Sequence, residues 1–162
     1  MIIRDYNKND AAVVGLLIKN TYSEYNLDFL KPGELPAYLG PFAYAGDGIP
    51  AHQQAIHMMI QSKFVYLAEV DGIIVGVLRG RLDRLGSLFV DRKYHRQGIG
   101  RSLVEHFENE VRRNQGTVIR VASSLYAVPF YLDMGYQKST GIRNSWSFQG
   151  YGLPIQPMKK IL

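Results

Sequence analysis

The chain has 162 residues, a formal net charge of +5, 46% hydrophobic residues and no cysteine. This length predicts one domain over residues 1–162, and the missing cysteines exclude disulfides, thiolate metal sites and a thiol nucleophile. No apolar run approaches the ~20 residues that span a bilayer, and the N-terminus lacks the pattern of a secretory signal, so we expect a cytoplasmic protein.

The first third of the chain predicts one strand and two helices. Residues 2–6 form the strand, and Asn7 or Asn9 can cap a helix that fades near residue 26. Apolar residues recur at helical spacing within it: Val13, Leu16 and Leu17. Glycines and prolines forbid one long helix over 26–50, and a second helix is predicted over 51–62. Three apolar residues share one face of this second helix: Ala55, Met58 and Met59.

The middle of the chain predicts three consecutive strands. The continuous apolar run 64–70 fits a buried strand, and Asp71 followed by Gly72 is typical of a type I′ turn, which needs positive φ. The returning strand covers 73–82, and residues 85–90 form a third neighbouring strand after a short link.

A surface helix is predicted between Gly98 and Gly116. Its apolar residues recur every four positions: Ile99, Leu103, Phe107 and Val111. Its polar face carries four charged residues: Glu105, Glu108, Arg112 and Arg113. This amphipathic pattern indicates a helix packed on a sheet, and residues 117–122 form the next strand.

The C-terminal part predicts a short helix over 126–134 that Gly135 closes, extended structure over 136–140 and a last strand over 153–161. Two prolines lie in this last strand: Pro154 and Pro157. Because proline donates no ladder hydrogen bond, they restrict it to an edge or to an interrupted strand. The order of elements predicts an α/β (α+β) fold with a mixed, mostly antiparallel central sheet of about seven strands and helices on both faces.

The most informative segment is the strand, turn and helix of residues 88–104. An apolar strand breaks into a glycine-containing turn and opens into a helix. Unpaired backbone N–H groups then lie at the positive end of the helix dipole, where a phosphate binds. Four cations flank the turn: Arg92, Lys93, Arg96 and Arg101. The other basic residues are scattered, so we expect a phosphate-bearing small ligand and neither a nucleic acid nor a membrane as partner.

Two other phosphate-binding folds do not fit this turn. The dinucleotide pattern G-x-G-x-x-G lacks its third glycine after Gly98 and Gly100, and no acidic residue ends the next strand. The G-x-x-x-x-G-K-[ST] loop of phosphate-binding NTPases is absent. The turn also follows an antiparallel meander in the middle of the chain, which fits neither fold.

The element order and the turn resemble the GNAT superfamily of acyl-CoA-dependent N-acyltransferases over nearly the whole chain. Residues 88–104 resemble the family's R/Q-x-x-G-x-G/A motif, although His95 stands where Arg or Gln is usual. Residues 127–136 resemble its A-x-x-F-Y-x-x-x-G-F/Y helix, and the hairpin 66–78 is a third similar piece. We expect His95 itself to face solvent.

The resemblance implies that acetyl-CoA binds where the sheet splays between the strands at 85–90 and 117–122. Backbone N–H groups of the turn would hold the pyrophosphate of coenzyme A, and a Cβ on either glycine of the turn would obstruct it. The turn residues assigned to the cofactor are Arg96, Gln97, Gly98, Ile99, Gly100, Arg101 and Ser102. The strand residues assigned to its pantetheine arm, through their backbone groups, are Leu88, Phe89 and Val90. Ser123 stands where many members carry an Asn that binds the cofactor amide.

The resemblance also implies the chemistry. Tyr131 occupies the position of the family's general acid, which lies against the cofactor and protonates the departing thiolate. A backbone N–H near Phe89 or Val90 would polarise the acyl carbonyl. The general base stays open, the candidates being an ordered water, the histidines, Glu69 and Asp83. No metal is expected, since His52 and His57 have the wrong spacing for a pair on one helix face.

We therefore expect an N-acetyltransferase that moves an acetyl group from acetyl-CoA to a primary amine of a small molecule or amino acid, by direct attack in a ternary complex. The alternatives are a peptide or protein amine acetyltransferase and a non-catalytic acyl-CoA-binding module. In this fold the segment 22–57 would choose the acceptor, and its aromatic residues suggest an aromatic-walled pocket: Tyr25, Phe29, Tyr38, Phe42 and Tyr44. A homodimer is left open, since dimers formed through the C-terminal strands are frequent in similar proteins.

Overall fold

Eight strands and five α-helices form the part of the chain that the computed structural model describes, which is residues 1–162 without the side chain of Ser147. The strands are β1 (Ile2–Asp5), β2 (Phe64–Val70), β3 (Ile73–Arg81), β4 (Arg84–Val90), β5 (Val118–Ser124), β6 (Gln137–Lys138), β7 (Arg143–Ser147) and β8 (Gly150–Ile161). The helices are α1 (Ala11–Asn26), α2 (Leu35–Leu39), α3 (Pro50–Ile60), α4 (Ile99–Arg113) and α5 (Val128–Asp133). None of these described helices has the length and apolar character needed to cross a bilayer.

The strands lie in one mixed sheet. Its order over the described residues is β1, β2, β3, β4, β5, β8 and β6, with β7 also paired to β8. Every pair of neighbouring strands is antiparallel except β4 and β5, which run parallel. The predicted mixed, mostly antiparallel sheet is therefore confirmed, and the strand absent from the prediction is β7.

Helices cover both faces of the sheet, as predicted, and each face has its own core. On the face covered by α4 and α5, the four predicted apolar residues of α4 are buried: Ile99, Leu103, Phe107 and Val111. The face covered by α1, α2 and α3 has Val14, Ile18 and Ile56 in its core. The ring of Phe107 lies directly on the backbone of β3, because a Cβ added at Gly80 would come within 2.6 Å of it.

The predicted apolar faces of α1 and α3 are wrong in part: Leu17 is buried and Met59 packs on the core, but the other members are not. Val13, Leu16 and Met58 are exposed. The buried residues of α1 are instead Ala11, Val14, Gly15, Leu17, Ile18, Thr21 and Tyr22. Those of α3 are Ile56 and Ile60. The two helices meet at Gly15, where an added Cβ would lie 3.0 Å from the Ile56 side chain. Since both helices carry apolar residues on more than one face, this close contact decides which face is buried.

The prediction that Glu108 lies on the polar face of α4 is also wrong. Glu108 is buried, and its two carboxylate oxygens accept hydrogen bonds from Lys160 Nζ in β8 at 2.8 and 2.9 Å. Arg112 lies farther away, at 3.8 Å. A buried carboxylate needs such a partner, so this ion pair connects α4 to the C-terminal strand.

The last strand lies inside the sheet and not at its edge, so of the two alternatives predicted from its prolines the interrupted strand is the one observed. β8 pairs with β5 on one side and with β7 and β6 on the other. Pairing with β5 begins at Ile155, one residue after Pro154. Pro157 falls where the outer neighbour changes, because β7 pairs as far as Ile155 and β6 pairs from Met158. The ladder is thus interrupted where a proline lacks its N–H, as predicted.

Candidate active site

A cleft opens in the middle of the sheet, where β4 and β5 separate. The two parallel strands pair only at Arg84 with Arg120 and at Leu85 with Val121. Beyond Leu85 they diverge, and a cleft of about 300 Å³ lies between them. The predicted splay between the strands at 85–90 and 117–122 is confirmed.

A β-bulge in β4 accounts for the early end of this pairing. Arg79 of β3 pairs with Ser87, but the next residue, Gly80, pairs with Leu85. Gly86 is therefore an extra residue in β4, and such a residue bends the strand and increases its local twist. The bulge begins directly after the last residue pair that joins β4 to β5.

The bulge also decides which backbone groups face the cleft. Asp91 N–H donates to Val75 O in β3 at 2.8 Å. Because successive residues of a strand direct their backbone groups to opposite sides, Val90 and Leu88 direct theirs away from β3 and into the gap. The same alternation turns the backbone groups of Phe89 toward β3. Of the three strand residues assigned to the pantetheine arm, two therefore present backbone groups to the cleft.

His95 is turned inward, contrary to the expectation that it faces solvent. Its Nε2 lies 2.8 Å from Val90 O. Since a carbonyl only accepts, Nε2 is the protonated nitrogen in this contact. The imidazole also stacks on Tyr25 of α1, with 4.9 Å between ring centroids. His95 thus occupies one of the carbonyls at the gap and leaves the N–H of Val90 open.

The glycine turn presents a row of free backbone donors. Within the described residues, the N–H groups of residues 96–101 donate no hydrogen bond to the protein. Ser102 differs from them, because its N–H donates to Gly98 O at 2.9 Å and belongs to the helix ladder. The backbone N–H predicted to bind pyrophosphate at Ser102 is therefore occupied, and its hydroxyl is the group left for a ligand. The side chains of Arg96 and Arg101 are exposed beside this row.

Tyr131 lies in the wall of the cleft, on the side of α4 and α5. It is 5% exposed, and its ring packs between Phe130 and Tyr136 at centroid distances of 5.1 and 5.5 Å. Its hydroxyl makes no hydrogen bond to any described residue, and burial raises the pKa of the phenol. The group is therefore a protonated donor at neutral pH, free to serve a ligand in the cleft.

Ser123 also lines the cleft, at the β5 side. Its hydroxyl donates to Ser124 O at 2.8 Å, which leaves its lone pairs to accept a hydrogen bond.

The other wall of the cleft is aromatic, but its residues are not the predicted ones. The five aromatic residues expected there lie elsewhere in the described structure: Phe42 is in the core and Tyr25 packs on His95, while Phe29 and Tyr44 are exposed and Tyr38 packs on Tyr151. Besides Tyr131, the aromatic residues that line the cleft are Tyr22, Phe89, Trp146 and Phe148. Two of these come from the hairpin of β7 and β8, which the sequence did not reveal.

Arg79, Arg84 and Ser87 also line the cleft and were missed. The available signal was an arginine inside the otherwise apolar strand 73–80, where an unpaired charge is costly. The residues described as lining the cleft include no aspartate, glutamate or histidine. The two carboxylates considered as bases lie elsewhere and are paired, Glu69 with Arg4 at 2.9 Å and Asp83 with Arg81 at 3.2 Å. No group of three metal-binding side chains occurs among the described residues.

Comparison with known proteins agrees with this architecture. The model of the acetyltransferase (GNAT) domain family matches residues 46–162. The uncharacterized N-acetyltransferase YitH of Bacillus subtilis strain 168 is 29% identical over an aligned length of 106 residues, with 61% of this chain covered. The chain spans about 37% of that relative's length.

Solved structures share the fold. A GCN5-related N-acetyltransferase from Rhodopseudomonas palustris superposes with a TM-score of 0.78 at 22% identity, covering 99% of this chain and 95% of its own. The PaiA N-acetyltransferase from Thermoplasma acidophilum, solved in complex with coenzyme A, superposes with a TM-score of 0.67 at 13% identity, covering 99% and 98%. At these identities the likeness establishes the fold, including the open sheet with helices on both faces.

Proposed function

The chain belongs to the GNAT acetyltransferase family, and from this premise we propose that it transfers an acetyl group from acetyl-CoA to the primary amine of a small molecule or amino acid. One observation carries the proposal. The cleft between β4 and β5 runs from Tyr131 on one face of the sheet to Arg79 on the other. A donor and an acceptor can therefore meet in it from opposite sides.

The donor would bind along the turn and the free edge of β4. The free N–H groups of residues 96–101 would hold the pyrophosphate, with the exposed Arg96 and Arg101 beside it. The pantetheine amides would pair with the backbone of Leu88 and the N–H of Val90, as an added strand does. Ser123 would accept from the same arm through its hydroxyl.

The transfer itself would be a direct displacement. The amine nitrogen attacks the thioester carbonyl carbon, so that a C–N bond forms and the C–S bond breaks. The Val90 N–H would stabilise the negative charge on the carbonyl oxygen, and the Tyr131 phenol would give its proton to the leaving sulfur. The proton lost by the amine goes to water, and water in turn returns a proton to the Tyr131 phenolate.

The absence of a base among the described residues of the cleft fits this scheme. Arg79 and Arg84 are cationic, and nearby positive charge favours the neutral form of an amine. The acceptor would therefore enter as its free base. A cleft of about 300 Å³ that also receives the thioester leaves room for a small acceptor.

Replacement of Tyr131 by Phe tests the proposal. We expect Tyr131→Phe to lower kcat for coenzyme A release by about 100-fold or more, the usual contribution of a general acid. Binding of acetyl-CoA, measured by calorimetry, should stay close to that of the parent protein. Tyr136→Phe is the matched control, because Tyr136 is a buried tyrosine that packs on the Tyr131 ring and does not line the cleft. Unchanged kcat in Tyr131→Phe contradicts the assigned acid, and failure to bind acetyl-CoA contradicts the proposed function.

A further inference from the structure

Two polar side chains stand side by side on the floor of the cleft, on the face toward α1. Arg79 of β3 and Ser87 of β4 are directly opposite each other in the ladder. Cross-strand partners point to the same face of the sheet, so both side chains project together. The guanidinium carbon of Arg79 lies 6.0 Å from the centre of the Phe148 ring, which fixes it at the aromatic wall.

Both side chains hold a buried polar atom without a partner. Arg79 Nε and Ser87 Oγ are inaccessible to solvent and make no hydrogen bond in the described structure. Arg79 forms no ion pair with the described residues, and burial lowers its pKa with no carboxylate to oppose that effect. Arg79 as a whole is half-buried, so its unpaired charge is partly removed from water at a cost, and buried polar atoms in native proteins are nearly always satisfied.

The charge around these atoms specifies the missing partner. Arg79 and Arg84 line the cleft, whose described residues include no carboxylate. A diamine or polyamine would add a second cation to an already positive site. A carboxylate instead supplies two acceptor oxygens in the plane that a guanidinium fork matches, and it can also accept from a hydroxyl.

We propose that Arg79 and Ser87 bind a carboxylate of the acceptor, so that the substrate of this acetyltransferase is an amino acid. This inference rests on the proposed acetyl transfer. The guanidinium of Arg79 would hold the acid group on the α1 side of the sheet. The amino group of the same molecule would then point into the gap, where the thioester lies against Val90 and Tyr131.

Matched acceptor series test this specificity. One series is leucine, leucinamide and isoamylamine, and the other is phenylalanine, phenylalaninamide and phenethylamine. Coenzyme A release is measured, and kcat/KM is expressed per concentration of unprotonated amine, because the three amines of a series differ in pKa. We expect the free acid to exceed its amide and its amine by about tenfold or more in at least one series, as a hydrogen-bonded charge allows.

Variants of Arg79 assign the preference to this side chain. Arg79→Met should lower kcat/KM for the free acid about tenfold or more beyond any loss that it causes for the amide and the amine. Arg79→Lys should keep part of the preference, and Ser87→Ala should weaken it less than Arg79→Met does. The matched control is Arg81→Met, since Arg81 lies on the same strand with a side chain 63% exposed. Thermal unfolding of Arg79→Met checks that this variant folds. Should Arg79→Met be unstable, the two single variants Arg79→Lys and Ser87→Ala test the preference in its place.

The outcomes separate this inference from the proposed function. Equal kcat/KM for acid and amide, or an equal loss for both in Arg79→Met, overturns the carboxylate site while acetyl transfer stands. Binding of acetyl-CoA with no transfer to any member of either series also overturns it. Lack of acetyl-CoA binding, measured directly by calorimetry, overturns the proposed function itself.

Discussion

Two glycines at the start of α4 are needed for different reasons. Gly98 is the residue before the helix and has φ of 81°, in the left-handed region that glycine adopts at low cost. Gly100 lies inside the helix, and a Cβ there would meet the Phe130 ring at 3.5 Å, an ordinary contact. The protein therefore needs glycine at 98 for its own backbone but leaves room for a side chain at 100. The free N–H row next to Gly100 supplies the remaining reason, which is close approach of a phosphate.

Alanine substitutions distinguish these two reasons. Gly98→Ala should lower the free energy of unfolding by about 1–2 kcal/mol, because a left-handed residue is strained with a Cβ. Gly100→Ala should leave it unchanged or raise it by up to about 1 kcal/mol, since alanine favours a helix. Urea unfolding measures both values.

The substitution at Gly100 also tests whether the turn binds coenzyme A. We expect Gly100→Ala to weaken coenzyme A binding more than tenfold in calorimetry, because even one methyl group keeps a phosphate from the backbone N–H groups. Acetyl-pantetheine, which lacks the pyrophosphate, is the matched ligand and should lose little. Equal affinity of the parent protein and Gly100→Ala for coenzyme A would show that the turn does not hold the pyrophosphate.

Among the elements, the hairpin of β7 and β8 contributes most that is particular to this chain. It places Trp146 and Phe148 in the aromatic wall, and Phe148 packs on Tyr22 and Phe42 at 5.5 and 4.9 Å. Its turn consists of Phe148 and Gln149, with φ of 52° and 62°. Both residues are thus left-handed, in the manner of a type I′ turn, without a glycine or asparagine to relieve the strain.

Glycine at the second turn position should stabilise the protein. Gln149→Gly removes about 1–2 kcal/mol of left-handed strain and adds about 0.5–1 kcal/mol of chain entropy to the unfolded state. We expect a net gain of about 0.5–1 kcal/mol in urea unfolding. Gln115→Gly is the matched control, since Gln115 has φ of 63° after the end of α4 and lies outside the cleft. A loss of stability in Gln149→Gly alone would mean that the Gln149 side chain holds the hairpin in place.

The same turn explains what the sequence could not predict. The hairpin at Asp71 and Gly72 was foreseen because those residue types favour positive φ, and the structure has φ of 50° and 78° there. Phe148 and Gln149 carry no such signal, so β7 and the aromatic wall were missed. Likewise the stripe of α4 was correct because its apolar residues recur on one face only. For α1 the contact at Gly15, invisible in periodicity, selected another face.

The donor side of the candidate site was more predictable than the acceptor side for a related reason. The turn and the helix of Tyr131 are local in sequence, so short motifs describe them. The floor of the cleft joins Arg79 and Ser87 through the register of two strands, and that register depends on the bulge at Gly86. Nothing in the local sequence reports which residues a bulge brings opposite each other.

At the scale of the whole molecule, the strand ladder of the sheet consists of two parts with a weak junction, and the core under α4 continues across it. Strands β1 to β4 are joined to strands β5 to β8 by two residue pairs, one of which sets Arg84 opposite Arg120. Like charges directly opposite each other are destabilising in a sheet. Outside the ladder, the described contacts across the junction include the buried pair of Glu108 with Lys160 and the packing of Phe148 on Tyr22.

The two residue pairs that join β4 to β5 couple the two parts of the sheet only weakly, so the parts need not unfold as one cooperative unit. We expect amide hydrogen exchange of the unliganded protein to report a lower opening free energy for β5 and β8 than for β2 and β3. Saturating acetyl-CoA should make the two values converge, because a ligand seated in the gap couples the parts by binding only when both are folded. Equal opening free energies without ligand would contradict this expectation. If the expectation holds, the gap where the sheet admits its substrate is also where the native state first unfolds. The bound substrate would then be what makes the fold cooperative.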